Sequence, residues 1–201
     1  MKKRSIWAVN LSTASLVLIP AAVAINYIGK MFAQLLKLPL WLDSIGTILA
    51  SFLAGPIIGA LSGLINNVIY GLTMDPVSFI YGLTSVAIGL VAGLLARKGF
   101  AAGWGKAFML GIVIALTSAI VSTPINIGFY GGQTGNLWGD ALFVAVMAGT
   151  KAVWLASFLD EFVVDLPDKI ITVLISYALF RSLPKNLLQL YNTKSEIEEL
   201  K

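Results

Sequence analysis

Long apolar runs, separated by charged positions or by Gly/Pro breaks, dominate the pattern of the chain. A membrane-crossing helix needs about 20 mostly apolar residues, and fewer where neighbouring helices shield it. On that criterion the sequence predicts six spans, at roughly 6–29, 41–54, 57–72, 77–96, 106–127 and 165–183. The second and third are short and meet at Gly55-Pro56, a turn signal with no charge in it, and so predict a shielded hairpin. Residues 30–41 (KMFAQLLKLPLW) combine apolar character with two lysines and Pro39, the pattern of an outer loop at the interface or folded over the protein. Residues 128–164 hold Gly131, Gly132, Gly135 and Gly139, then apolar stretches at 137–149 and 151–164. They predict short re-entrant helices or an outer cap. The expected fold is therefore an all-α integral membrane protein, a six-transmembrane-helix bundle with outer loops or re-entrant short helices. Residues 1–185 form one membrane-embedded domain, and 186–201 a polar tail.

Composition supports the membrane assignment and removes most catalytic chemistry. Of 201 residues, 58% are hydrophobic and 12% charged, half the charge of an ordinary soluble domain. There is no Cys and no His, which excludes thiolate nucleophiles, imidazole bases and the common zinc sites. No Walker A motif is present, so the chain does not hydrolyse ATP by itself. No catalytic constellation emerges at recognisable spacing from the remaining side chains and no metal site is expected, while an aspartate-based intramembrane enzyme would need two carboxylates facing each other within the bilayer.

The net charge of +4 reflects topology rather than nucleic-acid binding. With six spans and the N-terminus inside, the cytoplasmic segments hold Lys2, Lys3, Arg4, Arg97, Lys98, Lys106, Arg181, Lys185, Lys194 and Lys201. Lys30, Lys37, Lys151 and Lys169 fall outside. That is the positive-inside bias, and it puts both termini in the cytoplasm. The basic start resembles a signal-peptide n-region, but no cleavage site follows, so the first span is expected to be retained.

Small residues at helical spacing form the first functional signal. Gly55, Gly59 and Gly63 make a GxxxGxxxG run and Gly89 and Gly93 repeat the step, which marks close helix contact. Ala8, Ser12, Ser15 and Ala22 share a face of the first helix, either for packing or as a docking face for another membrane subunit.

Polar groups near the outer end form the second. Asn66 and Tyr70, Asp43 and Thr47, and Asn126 and Tyr130 each stand at i, i+4, with Asn67 beside them. Gln133, Asn136, Trp138 and Asp140 follow in the next loop. Each is costly in hydrocarbon, so each caps a helix, bonds another helix or faces a cavity. An acidic group, Asp160, Glu161, Asp165 and Asp168 with Lys169, is expected at the outer edge. Asp165 is one turn from Lys169 and is positioned to cap a helix beginning at Leu166-Pro167. Asp160 and Glu161 have no such local explanation and either hold a solute or face water. Trp138 and Trp154 suit either stacking on a flat ring or the interfacial belt.

Together the basic N-terminus, the small-residue first helix, LPLWLDSIGTILASFLAGPIIGALSGLINNVIYGL (38–72) and LPDKIITVLISYALFRSLPK (166–185) resemble a substrate-specific S component of the energy-coupling factor (ECF) transporters, the vitamin-importing ABC systems of prokaryotes. The resemblance covers roughly 5–185. It implies a six-helix bundle in the cytoplasmic membrane that binds a vitamin near its outer face and tips over to deliver it. The partners it implies are a transmembrane coupling protein and two ATPases, which hydrolyse the ATP; this chain carries no cofactor. The family's docking pattern, AxxxA on helix one, is matched most nearly by Ala8–Ser12, with Pro20–Ala24 second. The expected ligand contacts are Asn66, Asn67, Tyr70, Asn126, Tyr130, Gln133, Trp138, Asp160 and Glu161. They suit a small flat heteroaromatic ring with hydroxyl or amino groups, such as hydroxymethylpyrimidine or pyridoxine. Cobalamin or pantothenate, and a sensor module, an autonomous channel or an intramembrane hydrolase, stay open at this point.

Overall fold

A computed structural model of the chain describes residues 12–191. They form eight α-helices: α1 (Thr13–Leu35), α2 (Ile45–Ala54), α3 (Pro56–Thr73), α4 (Ser78–Leu95), α5 (Trp104–Tyr130), α6 (Leu137–Thr150), α7 (Val153–Ser182) and α8 (Lys185–Tyr191). A π-helical turn at Ala96–Phe100 follows α4. Among the described residues, four helical segments are long and apolar enough to cross a membrane: Thr13–Leu35, Pro56–Thr73, Ser78–Phe100 and Trp104–Tyr130.

α2 stands apart from these four. At ten residues it is about 15 Å long, against about 27 Å for its hairpin partner α3. All ten of its residues are buried, the mark of a helix apolar on every side and enclosed by others. The two share the Gly55 corner, where φ is +90° and a Cβ would strike the guanidinium of Arg97. Starting α2 so close to that corner draws residues 36–44 down into the bundle from the end of α1.

The small-residue stripes pack the chain onto itself. A side chain at Gly89 would enter the backbone of Ala60, and one at Gly93 the backbone of Pro56, so α4 lies directly on α3. Ala22 of α1 touches α2 in the same way, because a Cβ at Gly46 would collide with the Ala22 backbone. The apolar core, with Ile48, Phe52, Ile58, Leu110, Tyr177 and Phe180, lies among α2, α3, α5 and α7.

Several boundaries differ from those expected. α1 runs on through Lys30 to Leu35, because the Lys30 stem reaches along the bundle and donates to Ser78 Oγ at 3.0 Å rather than ending the helix. The last long helix begins at Val153, not near 165, and carries Pro167 in its interior. Asp165 therefore caps nothing. Packing of α7 along the whole of α5 outweighs the roughly 3 kcal/mol a proline costs inside a helix. The acidic group does not face water: Asp160, Glu161, Asp165 and Asp168 are all buried within α7. Residues 137–150 form a separate helix, α6, on α7. The start of the expected polar tail is helical in α8, with Leu188 joined to the core.

Candidate functional site

The burial of Asp165 and Asp168 in α7 is made tolerable by Lys169. Its Nζ lies 2.6 Å from Asp168, 3.3 Å from Asp165 and 3.7 Å from Asp43. A lone ammonium at this depth would be very costly, and three carboxylates compensate it. The pair predicted one turn apart, Asp165 and Lys169, is thus present, with two further partners that spacing alone did not show. Asp168 also accepts from the backbone N–H of Trp41 and Leu42, at 3.0 and 2.9 Å. One carboxylate therefore fastens the 36–44 loop to α7.

A second tie sets the start of α2. Asn26 of α1, fully buried, accepts from the N–H of Gly46 and Thr47 at 2.7 and 3.2 Å and donates to Thr47 Oγ1 at 2.8 Å. Ser44, the residue in the cap position, makes no side-chain cap of its own, so a residue from another helix does the capping.

Above these ties, between α1, α4, α5 and α7, lies a cavity of about 500 Å³. The volume is that of a small-molecule site. Its walls below are hydroxyl-bearing: Thr84 and Ser85 from α4, Ser118 and Ser122 from α5. Tyr81 and Tyr130 supply parallel rings with centroids 6.4 Å apart and planes within 9°. Trp41 and Asp43 enter from the 36–44 loop, and Gln133, Thr134 and Gly135 from the α5–α6 loop. Glu161, Asp165 and Lys169 face it from α7.

Of the residues expected to bind a solute, Tyr130, Gln133 and Glu161 line this cavity. Asn126 stands one layer behind. It accepts from Tyr81 Oη at 2.5 Å and donates to Glu161 Oε2 at 2.9 Å, which fixes both wall groups. Asp160 holds the α5–α6 loop, accepting from Thr134 Oγ1 at 2.7 Å. Asn67 bonds Gly63 and Ser85, joining α3 to α4. Tyr70 donates to Gln34 of α1 at 2.5 Å, with Lys30 over its ring. Asn66 is buried in α3 away from the cavity walls, its Oδ1 without a partner. Trp138 is 66% exposed and lies outside the cavity, and Trp154 is similarly exposed.

Tyr81, Thr84, Ser118, Ser122 and Gln34 were not singled out by sequence. Their signal was the spacing Tyr81, Thr84, Ser85 and Ile88 along α4, and Ser118, Ser122 and Asn126 along α5. Each set puts polar groups on one helical face.

The first-helix face divides as well. Ser15 and Ala22 are buried inside the bundle, so they pack the chain's own helices rather than face a partner. Ser12 caps α1, accepting from Ser15 N–H at 3.2 Å, and Ala8 lies outside the described residues. Pro20 and Ala24 are exposed. Among the described residues no group of His, Cys, Asp or Glu has the arrangement of a metal site. Compared with models of known families, with curated proteins and with solved structures, the chain shows no match.

Proposed function

We propose that the chain is a solute-binding membrane subunit, an S component of an ECF-type importer that takes up a small water-soluble vitamin. The observation that carries this reading is the cavity. A polar, aromatic-walled space of about 500 Å³ sits at the loop-bearing end of an otherwise apolar helical bundle. Its rim comes from the loop after the first helix and from the loop between α5 and α6. That placement fits a chain that receives a solute at one membrane face.

In this reading α1, the α2–α3 hairpin, α4, α5 and α7 supply the six spans, with α2 enclosed and α6 resting on α7. Both termini are cytoplasmic in the prokaryotic cell membrane, and the cavity opens outward. The chain itself is not an enzyme: it works with a transmembrane coupling protein and two ATPases, and the exposed side of α1, at Pro20 and Ala24, is the docking face open to the coupling protein. The ring-binding walls favour a pyrimidine or pyridine vitamin, of the hydroxymethylpyrimidine or pyridoxine type and including their amine-bearing relatives.

Purifying the full chain in detergent and identifying co-purified small molecules by mass spectrometry tests the reading. Titration with hydroxymethylpyrimidine, pyridoxine, cobalamin and pantothenate accompanies it. One tightly held vitamin is the expected result. A protein that emerges empty and binds none of them overturns the proposal.

A further inference from the structure

The charge of a cavity constrains what it holds, since like charges out of water repel strongly. Five carboxylates line this one, against the ammonium groups of Lys30 and Lys169. Lys169 is already engaged by Asp168, Asp165 and Asp43. Lys30 stands on the α1 side of the wall, where it donates to Ser78 Oγ and lies 4.2 Å from the Tyr70 ring centroid.

Asp75 and Asp140 stand at the partly exposed rim, and Glu161 is the buried lining carboxylate left without a cation. It is 6% exposed, lines the cavity, and among the described residues has no cation within ion-pair distance. The relay from Tyr81 through Asn126 holds its Oε2 and orients the group, leaving Oε1 without a protein donor. A carboxylate held this way in a buried site is expensive without a positive partner. Beside it, the faces of Tyr81 and Tyr130 offer the π-surface that attracts a cation and stacks on a flat ring. Asp165, fully buried, lines the same space and adds negative charge there, its own cation being Lys169 at 3.3 Å.

We infer that the solute carries a positive charge on or beside a flat ring, as a protonated amine or a quaternary ring nitrogen, and that Glu161 is its counter-charge. This rests on the solute-binding reading and adds the sign of the ligand's charge and the residue that selects it. Anionic solutes, including phosphate esters, are rejected by the same wall.

The test uses matched probes that differ in charge: nicotinamide and its N1-methyl cation, pyridoxine and pyridoxamine, hydroxymethylpyrimidine and thiamine. Affinities are measured on the full chain in detergent by intrinsic tryptophan fluorescence. In the pairs that bind, the cationic member should bind at least about ten-fold tighter, a gap of about 1.4 kcal/mol. Glu161→Gln should abolish that preference while leaving the neutral member within about three-fold, less than 1 kcal/mol. Asp140→Asn, at the partly exposed rim, should reduce the preference less, and the matched pairs measured on the unmodified chain keep the test open if Glu161→Gln does not fold. Neutral members binding as well as or better than cations would overturn the inference while the solute-binding reading stands. A preference that survives Glu161→Gln, or Asp140→Asn acting more strongly than Glu161→Gln, would also overturn it. Binding of no probe, together with an empty purified protein, overturns both.

Discussion

Asp168 accepts the backbone N–H of Leu42 at 2.9 Å across 126 positions of sequence. The same oxygen takes Trp41 N–H, and the other oxygen takes Lys169 at 2.6 Å. This one side chain neutralises a buried cation and shapes the loop that carries Trp41 and Asp43 to the cavity.

Asp168→Ala should therefore be among the most damaging single changes in the chain. Removing one partner of a buried ion pair costs about 3–5 kcal/mol, and two loop N–H groups lose their acceptor as well. Thermal unfolding in detergent should show a large fall in Tm, and a Tm near that of the wild type would contradict the arrangement.

Asn26→Ala tests the capping of α2 from another helix. It removes the acceptor for two backbone N–H groups and the donor to Thr47. The expected loss is about 2–3 kcal/mol, above an ordinary cap because the site is dry. Asn26→Asp keeps the acceptors and should recover part of that loss in the same unfolding assay.

Ala22→Leu separates packing from docking. Ala22 is 1% exposed and abuts Gly46, so the larger side chain must push α1 off α2, at about 1–3 kcal/mol or more. Ala24→Leu, on the exposed side of the same helix, should leave the Tm unchanged. Equal stability of the two variants would refute the assignment of the faces.

The cavity walls make a contrasting prediction for two aromatic residues. Tyr81→Ala removes a ring face and the hydroxyl that orients Asn126, and should weaken solute binding by about 1–3 kcal/mol. Trp138→Ala should change affinity less than about two-fold, as expected of a surface position away from the site. Titration of both variants with the co-purified solute decides the matter.

Much of the scaffold was legible in the sequence. The cores of α1, α3, α4 and α5 follow from uninterrupted apolar runs, and the glycine stripes do mark close helix contact, Gly89 and Gly93 seating α4 on α3, Gly59 seating α3 on α2 and Gly63 meeting both neighbours. What failed was the treatment of charge. Asp160, Glu161, Asp165, Asp168 and Lys169 suggest a loop edge when taken one at a time, because each alone is intolerable in a helix facing hydrocarbon. Their partners, Thr134, Asn126, Asp43 and the N–H groups of Trp41 and Leu42, come from other parts of the chain. Lys30 misled in the same way, by ending a helix on paper that its long side chain lets continue.

The site was partly legible for a related reason. Tyr130, Gln133 and Glu161 stood out as costly polar groups near an end, and they do face the cavity. Tyr81, Thr84 and Ser122 did not, since small hydroxyls within FIYGLTSVAIGL and ALTSAIVSTP look like helix-packing residues. Asn66, Asn67 and Tyr70 suggested a solute because nothing in sequence shows that Ser85 and Gln34 already occupy Asn67 and Tyr70.

The descent of residues 36–44 into the bundle inverts an ordinary expectation about irregular segments. Stretches without repeating structure commonly exchange their amide protons with solvent quickly, because those protons meet water. In this chain the amides of Trp41 and Leu42 end on a carboxylate with no exposure, held in turn by a buried ammonium. They should exchange in deuterium as slowly as amides in the middle of α5. Leu36 and Lys37, a few residues earlier in the same connection, are solvent-exposed and should exchange faster. The connection after α1 is, in kinetic terms, part of the rigid frame, and a solute arriving there meets a wall rather than a lid.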